Sequence, residues 1–134
     1  MQKNFTQLEN FGHSLSAPSY LLKPTTAEEI NKAFALAKKS GLVVNARGAG
    51  RSYNDAALAG GGIVLDMRGM NAITAWDPST GLITAQPGTT LEQVWKKVVT
   101  DGWWPPVVSG TMTTTLGGCL AANIHGKNNF KMGP

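Results

Sequence analysis

The amino-acid sequence predicts an α+β domain in which a small parallel βαβ unit is followed by an antiparallel sheet with helices. Three observations carry this prediction. A helical pattern lies between two short apolar runs in residues 19–46. Two strand-like runs flank a turn-forming Asp-Pro-Ser-Thr-Gly stretch in residues 72–88. A second amphipathic helical pattern then occupies residues 89–102.

The βαβ unit is predicted from SYLLKP, residues 19–24, and LVVNA, residues 42–46, which are short apolar runs. The helix between them repeats apolar residues on one face: Ile30, Ala33, Phe34 and Ala37. Thr26 and Glu29 have the spacing of a capping box, and Gly41 is placed to end the helix. Because one helix joins the two strands, we predict that they run parallel.

The second half of the chain predicts a strand, a hairpin and a helix. GGGIVLDM, residues 60–67, is the strand, and residues 72–88 form the hairpin. The helix is predicted from an apolar face formed by Leu91, Val94, Trp95 and Val98. Thr90 and Gln93 have the spacing of a capping box, and Gly102 is placed to end the helix. The Trp-Trp-Pro-Pro stretch, residues 103–106, predicts an extended connector whose tryptophans cover the core.

The composition limits the classes of function. A 42% hydrophobic and 15% charged content over 134 residues indicates a folded domain rather than a disordered tail. The net charge of +4 is modest and no long basic run occurs, so no nucleic-acid partner is predicted. One cysteine, Cys119, and two distant histidines, His13 and His125, predict neither a disulfide nor a metal site. No signal peptide or transmembrane segment is predicted, and a cytoplasmic location is expected.

A first glycine-rich stretch, NARGAGRSYND in residues 45–55, follows the second predicted strand. Backbone N–H groups in such turns form anion-binding concavities, and Arg47 and Arg51 add positive charge. A phosphate or diphosphate suits this chemistry. The P-loop lysine is missing, and Tyr53 replaces the third glycine of the dinucleotide fingerprint. A structural turn with solvated arginines is the alternative interpretation.

A second glycine-rich stretch, SGTMTTTLGGCLAANIHGKNN in residues 109–129, ends with His125 and Lys127. We expect backbone and hydroxyl donors at Gly110, Thr111, Thr115, Gly117 and Gly118. Small residues nearby leave room for a flat ring or a diphosphate. A long dinucleotide would contact both stretches, whereas a lone phosphate needs only one. We therefore predict that the two stretches converge on one extended cofactor.

Five stretches occur in the order PTTAEEI, GLVVNARGAGRSYND, GGIVLDM, PGTTLEQV and SGTMTTTLGGCLAANIHGKN. They resemble the FAD-binding domain of the vanillyl-alcohol oxidase and p-cresol methylhydroxylase (PCMH) superfamily. ARGAGRSY and GGCLAANIHGKN are most similar to the decaprenylphosphoryl-β-ribose oxidases, which oxidise a sugar 2′-hydroxyl on a prenyl-phosphate carrier. The resemblance implies an N-terminal extension in residues 1–17 and a PCMH-type FAD-binding domain in residues 18–134. The abrupt end predicts a truncated domain whose substrate domain lies downstream.

The resemblance also implies site residues. Those expected to bind the cofactor are Ala46, Arg47, Gly48, Ala49, Gly50, Arg51, Ser52, Tyr53, Asn54, Asp55, Ala56, Gly110, Thr111, Thr115, Leu116, Gly117, Gly118, Ala122, Asn123, Ile124 and His125. His125 is also assigned to the flavin environment, and Lys127 to substrate contact. Many relatives attach FAD covalently through a histidine, and some also through a cysteine. Arg51 and Thr111 occupy those places, so the resemblance implies non-covalent FAD.

The function implied by the resemblance is the FAD-binding portion of a flavin-dependent oxidoreductase. It would oxidise a CH–OH group of a sugar-like substrate, with decaprenylphosphoryl-ribose as one candidate, by hydride transfer to FAD. This portion alone is expected to be inactive, and a lipid-linked substrate would bring the protein to the inner membrane face. Two alternatives stay open: a non-catalytic nucleotide-binding or regulatory module, and a structural βαβ domain whose glycines serve only turns.

Overall fold

The computed structural model describes residues 4–134 of the chain. It contains two compact units, the first ending at Met70 and the second running from Asn71 to Pro134. The first unit holds a four-stranded mixed sheet and one long helix, and the second holds a two-stranded antiparallel sheet with short helices. The predicted α+β class is confirmed.

The first unit is built on a sheet with the strand order β1-β2-β4-β3. Its elements are β1 (Asn4–Glu9), β2 (Ser16–Leu22), α1 (Ala27–Ser40), β3 (Val44–Arg47) and β4 (Ile63–Asp66). Strand β1 is antiparallel to β2, so part of the predicted N-terminal extension belongs to this sheet. Strands β2 and β3 both pair in parallel with β4. Their predicted parallel direction is confirmed, but β4, which is buried throughout, lies between them.

Helix α1 begins and ends as its sequence signals predict, with one change at the start. The Thr26 hydroxyl accepts a hydrogen bond from the Glu29 N–H at 3.2 Å. The Glu29 carboxylate accepts from the Thr25 N–H at 2.7 Å, so the reciprocal bond of the predicted capping box is shifted by one residue. The Thr25 hydroxyl also donates to this carboxylate at 3.0 Å, and the two bonds from Thr25 lower the pKa of Glu29. Gly41 ends the helix with a φ of 65°.

The core of the first unit lies between α1 and the sheet. Its buried side chains are Leu22, Ala33, Ala37, Ile63 and Leu65. Phe34, predicted to face inward, is 54% exposed, which corrects the sequence-based expectation. The two alanines form the contact, and small side chains there let the helix lie close to the sheet. The larger ring of Phe34 therefore lies at the border of the contact.

The second unit contains a hairpin and three short helices. Its elements are β5 (Ile73–Asp77), β6 (Leu82–Ala85), α2 (Leu91–Val98), α3 (Leu116–Ala121) and α4 (Asn129–Met132). Thr90 and Gln93 form the complete capping box predicted for α2. Leu91, Val94 and Val98 are buried, as predicted, and Trp95 is partly buried. Gly102 ends a 3-10 turn, Val99–Asp101, that follows α2 rather than ending α2 itself.

The tryptophans of the connector line a groove instead of covering the core. Trp103 and Trp104 are 39% and 60% exposed. The Trp103 indole N–H donates to the Pro78 carbonyl at 2.9 Å, and its ring packs edge-on against Trp76. Trp104 packs in the same way against Trp95. With neighbouring apolar residues, the two tryptophans border an apolar groove of about 620 Å³.

Candidate functional site

The first glycine segment, defined as residues 46–56, begins in the last two residues of β3 at the carboxyl end of the parallel strands. Within residues 4–134, the backbone N–H groups of Ala49, Gly50 and Arg51 donate to no other group of the protein. Gly50 has a φ of 68°. Successive amides around a left-handed residue form a concavity that binds anions. This stretch of backbone can therefore donate to a ligand.

Arg47 holds the first glycine segment in place through hydrogen bonds to two backbone carbonyls. Its guanidinium donates to the carbonyl of Glu9 at 2.8 Å and to that of Ala57 at 3.2 Å. Gly50 packs directly on this group, because an added Cβ would lie 2.4 Å from Nη2 of Arg47. Burial, and then repulsion from Arg68, lower the pKa of Arg47, but an arginine in a protein stays charged. Both of its hydrogen bonds serve the fold.

Arg51 has the opposite placement. Its side chain is exposed, and its guanidinium lies 4.9 Å from the centre of the Phe11 ring. Phe11 in turn packs edge-on against the 74%-exposed Tyr53. A cavity of about 450 Å³ lies beside this cluster, and its lining includes Arg47, Ala49, Gly50 and Arg51. Arg51 is thus the arginine of this segment whose charge faces outward.

The later residues of the first glycine segment hold its shape. The carbonyl of Ser52 accepts from the Phe11 N–H at 2.9 Å, and that of Asp55 accepts from the Leu58 N–H at 2.8 Å. The Asn54 side chain accepts from the Ala56 N–H at 3.1 Å. These bonds fix the loop backbone around the free amides.

Two asparagines that the sequence analysis missed also anchor this segment. Asn45 donates to the carbonyls of Ala56 and Leu58, both at 2.8 Å. Asn10, only 3% exposed, donates to the Tyr53 carbonyl. The only sequence signal for Asn10 is its position in the turn-forming stretch NFGHS. Asn45 begins the stretch NARGAGRSYND, but nothing there indicates that its side chain binds the loop backbone.

The second glycine segment, residues 109–129, is interrupted by helix α3 and is not one continuous ribbon. The Gly117 N–H donates to the Pro87 carbonyl at 2.8 Å, and the Gly118 N–H donates to the Thr115 hydroxyl at 3.3 Å. Thr115 is 2% exposed and caps the helix. These amides and this hydroxyl serve α3, which differs from the expectation that they are donors to a ligand.

The turn before α3, residues 111–114, is hydrogen-bonded to the start of α2. The Thr111 and Thr113 hydroxyls are 2.9 Å apart and hydrogen-bonded. The carbonyls of Met112 and Thr114 accept from the N–H groups of the first two residues of α2, at 2.9 and 3.0 Å. This satisfies donors that a helix start leaves free. Gly110 precedes the turn, and a Cβ there would meet nothing within 4 Å.

Gly110, His125 and Lys127 border one cavity of about 730 Å³ in the second unit, called here the His125–Lys127 cavity. All three residues are exposed. The structure thus brings together the start of the second glycine segment and the two residues that the sequence analysis assigned nearest to the reacting atoms. This grouping offers a cation and an imidazole beside a backbone without side-chain bulk.

Close packing holds His125 and Lys127 at this cavity. Gly126 lies between them and is buried, and an added Cβ would lie 2.6 Å from the Val108 carbonyl oxygen. Only glycine allows this approach of the two backbones. Asn128 adds a hydrogen bond from its side chain to the Pro106 carbonyl at 2.8 Å.

The other predicted residues of the second segment lie along the apolar groove or at the surface. Leu116, Asn123 and Ile124 line the groove, and Ala122 is exposed at the end of α3. Cys119 lines the groove too, and burial raises the pKa of its thiol. A thiol with a raised pKa is a weak nucleophile at neutral pH.

The described part of the chain contains neither a metal-binding cluster nor a membrane-spanning helix. Across residues 4–134, no three His, Cys, Asp or Glu side chains cluster in a way that would hold a metal ion. None of the helices in the same residues has both the length and the apolar character required to cross a bilayer.

The sequence profile of a family described as "FAD binding domain" matches residues 18–134. This chain belongs to that family. The cofactor of this chain is therefore FAD, as the sequence resemblance implied.

Relatives of this FAD-binding domain include sugar and lactone oxidoreductases. It is 38% identical over 128 residues to decaprenylphosphoryl-beta-D-ribose oxidase of Mycolicibacterium smegmatis, an alignment covering 95% of this chain and 28% of that protein. It is 36% identical over 80 residues to L-gulono-1,4-lactone dehydrogenase of Mycobacterium tuberculosis, covering 60% of this chain and 18% of that protein. The FAD-binding domain thus spans little more than a quarter of the oxidase.

Solved structures show the same fold. Alkyldihydroxyacetonephosphate synthase superposes on this FAD-binding domain with a TM-score of 0.73, covering 87% of this chain and 23% of that chain. At 23% identity, this likeness bears on the fold alone. The PCMH-type fold inferred from the sequence is confirmed.

Proposed function

We propose that this domain binds FAD non-covalently through both glycine segments and forms the cofactor-binding portion of an oxidoreductase acting on the CH–OH group of a sugar-like substrate. The proposal rests on the amides of Ala49, Gly50 and Arg51. In this member of an FAD-binding family, they donate to no group within the described residues 4–134. A diphosphate presents negative charge and several acceptor oxygens. The amides and the outward-facing Arg51 supply donors and positive charge of the matching kind.

The His125–Lys127 cavity of the second unit is proposed for the reacting end of the site. Bound FAD supplies the acceptor for a hydride from the substrate. The Lys127 ammonium provides positive charge at the cavity wall, suited to a substrate oxygen or phosphate. His125, as a neutral imidazole, has one donor and one acceptor nitrogen for orienting a bound group. Gly110 leaves space for close approach.

Non-covalent attachment is proposed from the side chains at the two attachment positions. The guanidinium of Arg51 and the hydroxyl of Thr111 are not the imidazole or thiol that forms such bonds in relatives. Cys119 lies elsewhere on α3, and its thiol is 3.5 Å from the Thr114 hydroxyl. Its raised pKa further disfavours attack on the cofactor.

The substrate proposal rests on the names of the relatives and on their identity to this chain. Decaprenylphosphoryl-β-D-ribose is the specific candidate, because the oxidase of that name is 38% identical over nearly the whole chain. We propose that substrate-binding residues other than Lys127 lie outside residues 18–134, since the chain spans 28% of that oxidase. The isolated chain is then expected to bind FAD without turning over substrate. We also propose a cytoplasmic location, at the inner membrane face if the substrate is lipid-linked.

Titration of the purified protein with FAD tests this proposal. We expect saturable binding with perturbed visible flavin bands, and acid precipitation should release all FAD and leave unmodified protein by mass spectrometry. Gly110→Val should weaken FAD binding about tenfold or more, which is about 1.4 kcal/mol, because it adds bulk at the open cavity wall. Its melting temperature should stay unchanged.

Ala75→Val on an exposed position of β5 is the matched control, and it should change neither quantity. Absence of FAD binding by the wild-type protein would refute the cofactor role, and a protein mass increased by FAD after acid treatment would refute non-covalent attachment. Equal FAD affinity in Gly110→Val and wild type would show that the His125–Lys127 cavity is not part of the FAD site.

A further inference from the structure

We propose that the turn joining β1 to β2, residues 10–15, holds the first glycine segment in the conformation that binds the FAD diphosphate. Asn10 is the positioning residue of this turn, which is called the clamp below. The inference rests on the proposed function. It extends the site to residues that lie outside the family match, which begins at residue 18.

Asn10 ties the turn to the loop with a single buried side chain. Its carbonyl oxygen accepts from the N–H groups of Ser14 and Leu15 at 3.0 and 3.2 Å, which closes the turn. Its amide nitrogen donates to the Ser14 hydroxyl at 3.1 Å and to the Tyr53 carbonyl. Because the side chain is 3% exposed, water does not compete freely for these bonds.

Neighbours of Asn10 add contacts on both sides of the free amides. On one side, the Glu9 carbonyl accepts from Arg47 at 2.8 Å. On the other, the Phe11 N–H donates to the Ser52 carbonyl at 2.9 Å. The Phe11 ring also lies under the Arg51 guanidinium. The last residue of β1 and the turn therefore hold the loop before and after the stretch proposed to receive the diphosphate.

This arrangement matters because, among residues 4–134, the N–H groups of Ala49, Gly50 and Arg51 donate to no protein group that would hold them. Ordering such a loop at the moment of binding would oppose binding through lost conformational entropy, whereas a loop already held by the turn loses less. The β1–β2 ladder pairs all six residues of β1 independently of Asn10. Loss of the clamp should thus loosen the loop without dissolving the sheet.

Asn10→Asp is the decisive variant. It keeps an acceptor for the Ser14 and Leu15 N–H groups but removes the donor to the Tyr53 carbonyl. Ser14→Asp is the matched control, since it adds the same charge beside Asn10 and keeps that donor. The measurements are FAD and riboflavin affinity well below the unfolding temperature, and hydrogen exchange without ligand at Phe11, Ala56 and Leu58, whose N–H groups donate to acceptors in the loop.

We expect Asn10→Asp to bind FAD about tenfold more weakly and to exchange faster at Phe11, Ala56 and Leu58, with β1 and β2 unchanged. Riboflavin, which lacks the diphosphate, should bind both variants and the wild type alike. Ser14→Asp should resemble the wild type throughout. Asn10→Ser, whose short hydroxyl can serve the turn but not reach Tyr53, should reproduce the effect if the aspartate variant does not fold.

Equal loop exchange and equal FAD affinity in the Asn10 and Ser14 variants would overturn the clamp. An equal loss for riboflavin and FAD would assign Asn10 a general structural role instead. If wild-type protein takes up no FAD, the proposed function fails, but the exchange comparison without ligand still decides whether Asn10 holds the loop.

Discussion

Gly50→Ala is expected to lower FAD affinity by about 100-fold while the protein remains folded. Gly50 has a φ of 68°, which costs an L-residue with a side chain about 1–2 kcal/mol. The new methyl would also lie 2.4 Å from Nη2 of Arg47, so the guanidinium must shift from the Glu9 and Ala57 carbonyls. A 100-fold loss of FAD affinity corresponds to about 2.7 kcal/mol of binding free energy.

Gly41→Ala provides the matched control for Gly50→Ala. Gly41 has a nearly equal φ of 65°, but a Cβ there meets nothing within 4 Å, and the residue ends α1. Its variant should lose a similar backbone contribution to stability and keep wild-type FAD affinity. Thermal melts and FAD titrations of both variants separate the two effects. Wild-type FAD affinity in Gly50→Ala would show that the loop conformation is not needed for binding.

Replacing the two arginines of the first glycine segment by methionine should give opposite results. Arg47→Met leaves the Glu9 and Ala57 carbonyls without their donor, so the free energy of unfolding should fall by about 2–4 kcal/mol. Arg51→Met should change stability by less than about 1 kcal/mol, since it loses only an exposed cation–π contact. It should nevertheless weaken FAD binding about tenfold, because Arg51 offers charge to the diphosphate.

Urea unfolding without FAD and FAD titration at one salt concentration check this pair. Arg51→Lys restores the charge but not the forked donor geometry, so its FAD affinity should fall between those of the wild type and Arg51→Met. A stable Arg47→Met protein with weak FAD binding, together with an Arg51→Met protein of normal affinity, would reverse the two roles.

Local signals made much of the fold predictable. The caps at Thr26 and Thr90 and the glycine at 41 act within one helical turn, so the sequence alone locates α1 and α2. The strand order is different, because the insertion of β4 between β2 and β3 depends on pairing between distant segments. Phe34 was misjudged because periodicity identifies a helical face but not its border.

The candidate site was predictable as a set of segments but not as individual roles. Arg47 and Arg51 lie in the same glycine-rich stretch, and nothing in the sequence distinguishes their roles. Arg47 differs because its guanidinium donates to the carbonyl of Glu9, 38 residues away. Gly117 and Gly118 suggested open backbone because glycine disfavours helices, yet the Thr115 cap starts α3 there. Asn10 acts through a partner 43 residues away, which no local pattern reveals.

Hydrogen exchange with and without saturating FAD tests most directly whether both glycine segments contact one cofactor. We expect slower exchange on FAD addition in residues 48–53 and, at the same FAD concentration, in residues 110–127. The free amides of Ala49, Gly50 and Arg51 should show the largest change, because they have no partner within the described protein. Protection confined to one segment, or absent from both, would contradict a shared FAD site.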